Sequence, residues 1–372
     1  MPDFMLQEIK EQPTILRRLA KRRNTITDIA DQIGLVNRIY LTGCGDPYFA
    51  ALTSRYFIEK TTKIPTFTLP SMDFRWTHSN LPSGSLVIAS SVSGRTKRTI
   101  EATKAAKEAG AMTIGITDNG DSPLTSYCNF VLEIEASPPE TLSQHEYAGY
   151  QYVVPQTKTY TSVLFAQMAL GFAIEAKTRE NHSIFEQYLK ETPQSVQEVI
   201  ETLEASLKDL GRRYAEERSL FAILGSGPYF GLAKYGGAKF LEFALPSYSQ
   251  CLEEFNHQEV FLADERWLIV LIAPDWLSLH RTRELAPLYE ELEAKSLTFE
   301  PEPYNYGEAV DSVAVGKYPE VITPFVYAIP LQLLAFFIAK AKGLDVDEWC
   351  GGNRTDQIVK LSQRTIRASE II

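Results

Sequence analysis

The sequence predicts an α/β protein made of two consecutive units, each a parallel sheet flanked by helices. Three observations lead there. Short apolar runs alternate with helical stretches in βαβα order, the pattern of a parallel sheet covered on both faces. A Gly-x-Gly turn followed closely by Pro-Tyr-Phe occurs twice, at Gly43–Phe49 and Gly225–Phe230, and the next apolar run follows each at nearly the same distance. At 372 residues the chain also exceeds what a single core usually supports.

In order, residues 1–33 form a charged amphipathic segment (MLQEIKEQP, ILRRLAKRR, TITDIADQI) that reads as two helices divided near Pro13. The alternation then begins with the strand RIYLT at Arg38 and a helix through Ala50–Lys60. It continues with the strand LVIAS at Leu86, a helix through Ile100–Ala109, and the strands TIGITD and FVLEIE. A helix over about Tyr160–Lys177 closes this unit. A polar helical stretch, Ser183–Leu210, leads to the second unit, whose apolar runs are FAIL at Phe221 and WLIVLI at Trp267. Val326–Ala339 carries Pro330 and Gln332 and reads as a buried core helix too short to span a bilayer. The expected division is a helical arm (1–33), a first domain (34–180), a linker helix (181–210), a second domain (211–343) and a C-terminal tail (344–372).

The formal net charge of −10, without a long basic block, argues against a nucleic-acid partner and for a small-molecule one. The four cysteines, Cys44, Cys128, Cys251 and Cys350, lack metal-site spacing and read as free thiols in the cytoplasm. No signal peptide, membrane anchor, metal or redox cofactor is expected.

The stretch around which the rest is arranged is LVIASSVSGRTKRT, residues 86–99. An apolar strand ends in a small-residue turn, and an Ala-rich helical pattern follows. Such a turn offers backbone N–H groups at a positive helix end, here with the hydroxyls of Ser91, Ser93 and Thr96, so it can cradle a phosphate. The second copy has Ile272-Ala273-Pro274-Asp275 at that place and has lost the hydroxyls, which leaves one such cradle per chain. Neither copy reads GxGxxG with a ribose-binding acid about twenty residues on, so a dinucleotide site is not expected.

These residues resemble the sugar isomerase (SIS) domain proteins, specifically the isomerase half of glucosamine-6-phosphate synthase. The likeness rests on SVSGRT after LVIAS, the duplicated unit and the opening MLQEIKEQP. It extends through CGDPYFA, QTKTYT (156–161), GGAKFLE (236–242), EFNH (254–257) and PLQLLAFFIAKAKGLDVD (330–347). The resemblance implies two tandem SIS domains of flavodoxin-like αβα sandwich form, the first holding the phosphate loop and the second the catalytic groups. It implies a sugar phosphate held by Ser91, Val92, Ser93 and Thr96, with Cys44, Gly45, Asp46, Gln156 and Thr157 around the sugar. Glu242 is implied as the carboxylate that moves a proton between C1 and C2. His257 is implied in ring opening, acting on the adjacent subunit of a homodimer. Both types suit the chemistry, a carboxylate for a carbon-bound proton and an imidazole near neutrality for the ring oxygen.

Several departures bear on function. No glutaminase domain is expected ahead of this region, and Asp46-Pro47 stands where the synthase usually reads Thr-Ser, putting a carboxylate and an imino ring in place of two hydroxyls. Arg95, Lys97 and Arg98 make the cradle more positive, and Leu241 replaces a lysine. The tail EWCGGNRTDQIVKLSQRTIRASEII does not keep the synthase ending, and Lys360 is the nearest candidate for its Schiff-base lysine. The function expected from the resemblance is isomerising deamination of glucosamine 6-phosphate, or deglycation of a fructosamine 6-phosphate. A plain aldose–ketose phosphosugar isomerase and a sugar-phosphate-sensing regulator remain the alternatives.

Overall fold

The structure, a computed structural model, describes residues 3–74, 76, 81–136, 145–147, 150–152, 156–179 and 183–369. The chain divides into two compact units. The first is drawn from Gln12–Tyr152, Lys158–Pro193 and Asp356–Ile372, and the second from Met1–Glu11, Val153–Thr157 and Gln194–Thr355. The expected segments are contiguous, whereas each unit is drawn from three stretches, and two of the five boundaries fall inside long helices, α1 (Phe4–Lys21) and α7 (Ser183–Glu217).

In the first unit, β1 (Arg38–Gly43), β2 (Thr66–Pro70), β3 (Ser85–Ser90), β4 (Met112–Thr117) and β5 (Phe130–Glu133) form one sheet. Its order is β2-β1-β3-β4-β5, and every pair is parallel. β3 is buried at every position, and β1 and β4 at all but their first, as continuous apolar runs require of strands covered on both faces. The flanking helices are α2 (Arg23–Gln32), α3 (Asp46–Thr62), α4 (Ser71–Phe74), α5 (Lys97–Glu108) and α6 (Lys158–Arg179). Tyr40, Val87, Ala102 and Ala106 pack together where α5 covers the sheet. A short antiparallel pair, β6 (His145–Tyr147) and β7 (Tyr150–Tyr152), stands apart from the main sheet.

The expected division of the N-terminal helices near Pro13 is not observed. α1 runs through Pro13, and the break falls at Arg22. Met5, Ile9, Leu16 and Leu19 are spaced by three or four residues around the buried Pro13 and bury one face of a single helix. That burial offsets the backbone hydrogen bond a proline cannot donate.

The second unit repeats the first. Its strands β8 (Leu220–Leu224), β9 (Ser247–Gln250), β10 (Trp267–Ile272), β11 (Lys295–Glu300) and β12 (Val310–Ala314) are all parallel, in the order β12-β11-β10-β8-β9. Read from the other edge this is the same arrangement, with the first strand between the second and third. Its helices include α8 (Pro228–Glu242), α9 (Leu252–His257), α10 (Trp276–Leu285), α11 (Thr323–Val326) and α12 (Ala328–Ala341), and α13 (Thr355–Ser362) begins the C-terminal segment. Trp267, fully buried, stacks on Tyr248 and meets Phe255 edge-on. Thr323–Ala341 is long and apolar enough, over 19 residues, to cross a membrane, but 89% of it is buried inside the protein.

The repeat holds down to backbone torsions. Gly45 (φ 65°, ψ −135°) and Gly227 (φ 58°, ψ −127°) each precede a helix with proline in its first turn, in the same left-side conformation. A Cβ on Gly43 would come within 2.9 Å of the Pro47 Cβ, and one on Gly225 within 2.4 Å of the Tyr229 carbonyl oxygen. In both copies the first glycine admits the helix against the strand end, and the second turns the chain into it.

Candidate active site

In the first unit, the register pairs Gly43 of β1 with Ser90 of β3, so the Cys44–Asp46 turn and the 91–96 loop leave adjacent strand ends. This is the place where strand order reverses, since β1 leads out to β2 on one side while β3 leads to β4 on the other. Crevices at such points are where open parallel sheets bind ligands.

The 91–96 loop is tied down from below. The Ser91 amide donates to the Ile116 carbonyl (3.0 Å), and the Asp118 amide (2.8 Å) and Thr117 hydroxyl (3.1 Å) both donate to the Val92 carbonyl. Gly94 sits at φ 62°, its amide donating to the Ser91 carbonyl, and a Cβ there would lie 1.9 Å from Ser122 Oγ. The loop therefore requires glycine at 94. The Val92 and Ser93 amides meet no acceptor among the described residues. Thr96 is the N-cap of α5 but its hydroxyl does not cap the helix; it accepts from Ser91 Oγ at 3.0 Å. Hydroxyls, unengaged amides and a positive helix end are thus gathered in one six-residue loop, a set of groups that suits a phosphate. Cys44 is exposed beside it, its sulfur 3.8 Å from Thr99 Oγ1 on α5. Of the nearby basic residues, Arg98 is taken up by both Glu101 oxygens (2.5 and 2.6 Å) and by Ser369 (3.3 Å), so its charge is largely neutralised locally.

In the second unit, α8 ends at Glu242, and Lys239 lies one turn earlier on the same face. Lys239 is fully buried, and its ammonium donates to Glu242 Oε1 and to the Gln156 carbonyl, each at 2.8 Å. The same ammonium stands 4.9 Å from the centroid of the Tyr235 ring, whose hydroxyl accepts from Gln332 Nε2 at 2.9 Å. The Thr157 amide, in turn, donates to Glu8 Oε2 at 2.7 Å; Thr157 is fully buried and Glu8 is 2% exposed. The structure therefore joins three of the expected residues, Gln156, Thr157 and Glu242, in one polar network.

Sequence reasoning missed the two charged members that hold this network, Lys239 and Glu8. A lysine three residues before a glutamate on a helix reads as a solvated pair, and Glu8 lies in MLQEIKEQP, a stretch that carries the family likeness without marking which of its charges is buried. The available signal was GGAKFLE itself, where two glycines on the face of α8 let other elements approach: a Cβ on Gly236 or Gly237 would come within 2.9 Å of Leu331 or 2.0 Å of Ser249.

Two further expected residues stand outside this network. His257 is exposed at the last position of α9. Lys360 is exposed on α13.

Comparison with known proteins agrees with this geometry. Residues 35–171, which contain the cradle, match the SIS domain. The chain is 30% identical over 351 residues to a glutamine–fructose-6-phosphate aminotransferase [isomerizing] of Aquifex aeolicus, covering 93% of this chain and 56% of that protein. The chain thus spans about half the length of the curated relatives it matches. Its fold matches the C-terminal domain of the glucosamine-fructose-6-phosphate aminotransferase of Francisella tularensis, with a TM-score of 0.78 at 22% identity over 93% of this chain and 98% of that one. It also matches a glucosamine-6-phosphate deaminase of Thermotoga maritima, with a TM-score of 0.67 at 21% identity over 93% and 97%. With the 91–96 loop seated at the switch point of one parallel sheet and the same sheet order repeated in the second unit, residues 35–171 form a SIS domain.

Proposed function

We propose that this chain is a phosphosugar isomerase that deaminates, converting glucosamine 6-phosphate and water to fructose 6-phosphate and ammonia. The observation that carries the reading is Glu242, a carboxylate held at the end of α8 by a fully buried lysine. A group fixed in this way suits the return of a proton to the carbon next to the one it came from.

In the proposed sequence, the phosphate rests on Ser91, Val92, Ser93 and Thr96, and Cys44, Gly45, Asp46, Gln156 and Thr157 surround the sugar. His257, contributed by a second copy of the chain in a homodimer, moves the proton that opens the ring. Glu242 takes the proton from C2 of the open aldose, leaving an enolamine, and delivers it to C1. The resulting C2 imine adds water and releases ammonia, so atoms balance without an external oxidant or reductant. A fructosamine 6-phosphate would run the mirrored course: Glu242 takes the proton from C1 and returns it to C2, and hydrolysis of the C1 imine frees glucose 6-phosphate and the amine. Lys360 is the candidate amine for holding the open ketose, and the glutamate step proceeds without it.

The assay is incubation of the purified protein with glucosamine 6-phosphate, with ammonia and fructose 6-phosphate both measured. Equal release of the two is expected. Conversion of a ketose phosphate to its aldose, with no ammonia from any amino sugar phosphate, would replace deamination by simple isomerisation.

A further inference from the structure

The peptide between Gln156 and Thr157 is gripped at both of its polar atoms. Its carbonyl accepts from the Lys239 ammonium, and its amide donates to the Glu8 carboxylate. A trans peptide points these atoms in opposite directions, so a cation and an anion hold one flat unit from opposite edges. All three participants are sequestered: Glu8 is 2% exposed, and Thr157 and Lys239 are fully buried. Hydrogen bonds to ionised groups are about twice as strong as neutral ones, and they gain in a buried setting. The line then continues from Lys239 to Glu242 Oε1. Glu8 is thereby connected to the carboxylate of Glu242 through one peptide plane and one ammonium.

We propose that Glu8 is a positioning residue for Glu242: it locks the Gln156–Thr157 peptide, which sets where the Lys239 ammonium stands and so aims the Glu242 carboxylate. The inference rests on the reading of Glu242 as the proton-transfer group. A buried carboxylate is costly to keep unless its interactions repay it. Burial of the helix face alone would be served as well by leucine, whereas the peptide amide needs an acceptor at this reach. α1 then acts as more than packing, because one of its residues orients reacting groups that lie far along the chain.

Three substitutions and one control separate this from a structural role. Glu8→Leu removes the acceptor, and kcat is expected to fall about 10- to 100-fold with KM within about threefold, since small misplacements of a catalytic group cost rates of this order. Glu8→Gln keeps an acceptor oxygen at the same reach and is expected to recover most of kcat. Glu8→Asp keeps the charge but is one methylene short, so it should resemble the leucine variant even if that variant folds poorly. Amide hydrogen exchange at Thr157, read by NMR on the same proteins, should quicken in Glu8→Leu and Glu8→Asp and stay slow in Glu8→Gln. Wild-type kcat in Glu8→Asp, or unchanged exchange at Thr157, overturns the proposal. Glu242→Gln is the control: turnover retained there discards the reading of Glu242 itself, whereas an inactive Glu242→Gln beside a fully active Glu8→Asp discards only the positioning role.

Discussion

Lys239 Nζ lies 2.8 Å from Glu242 Oε1, one turn apart at the C-terminal end of α8, with the ammonium wholly removed from solvent and the carboxylate side chain 14% exposed. A carboxylate at that end of a helix faces the negative pole of the backbone dipoles, so the lysine offsets both the dipole and the loss of water. Glu242→Gln keeps an acceptor oxygen for Lys239 but not the charge, so it should fold with reduced stability and still bind sugar phosphate, while turnover falls about 100- to 10,000-fold, the range that general acid–base groups contribute. Release of product from glucosamine 6-phosphate, with phosphate-ester binding followed by calorimetry, checks both halves.

Lys239→Met fills a similar volume but strands the carboxylate and the Gln156 carbonyl. Removing one member of a buried pair typically costs about 3–5 kcal/mol. Denaturant unfolding should show a loss of that order, and the double variant Lys239→Met/Glu242→Leu should recover much of it.

Gly94→Ala attacks the cradle through its backbone. The left-handed torsion alone costs about 1–2 kcal/mol for a residue with a Cβ, and here that Cβ would also overlap Ser122 Oγ. Inorganic phosphate binding measured by calorimetry should be lost. Adding Ser122→Gly should relieve the overlap and restore part of the stability, the torsional cost remaining.

Asp347 supplies a pH dependence with a defined sign. Burial raises its carboxyl to about 6, against which the hydrogen bond from the Phe4 amide works (2.7 Å). Because the folded state holds this proton more tightly than the unfolded chain, the contribution to stability is present below the unfolded value near 3.8 and is lost as pH rises through about 6. Asp347→Asn keeps the acceptor for Phe4. Melting temperatures should show the variant gaining on the wild type between pH 4.5 and 7, and a constant difference across that window would contradict the assignment.

Much of the fold was legible because its central strands are continuous apolar runs. β3 and β10 are buried at every position and stand out in the sequence. The strands that were not legible fail for two physical reasons. β2, β9 and β12 are short edge strands with mostly half-buried residues, so no run of hydrophobes marks them. β11 is interior, yet it reads KSLTFE because its buried polar groups are satisfied by tertiary partners: Ser296 donates to the Ala286 carbonyl, and Glu300 accepts from Arg283 and Tyr306. The 91–96 loop stands out in the sequence because its three hydroxyls lie within six residues of chain. Lys239 and Glu8 were not, because what distinguishes them from surface charges is burial against residues distant in sequence.

The composition of the first unit has a consequence for how the protein is made. Its sheet is encoded between Arg38 and Glu133, but the unit also takes in Asp356–Ile372, which are synthesised after all of the second sheet. Arg98, at the start of the helix that follows the cradle, is bonded to Ser369 in that late segment. On the ribosome, the earlier half must therefore wait, partly assembled, until the later half has emerged. Its exposed surface during that interval is where chaperone engagement and aggregation would compete with completion.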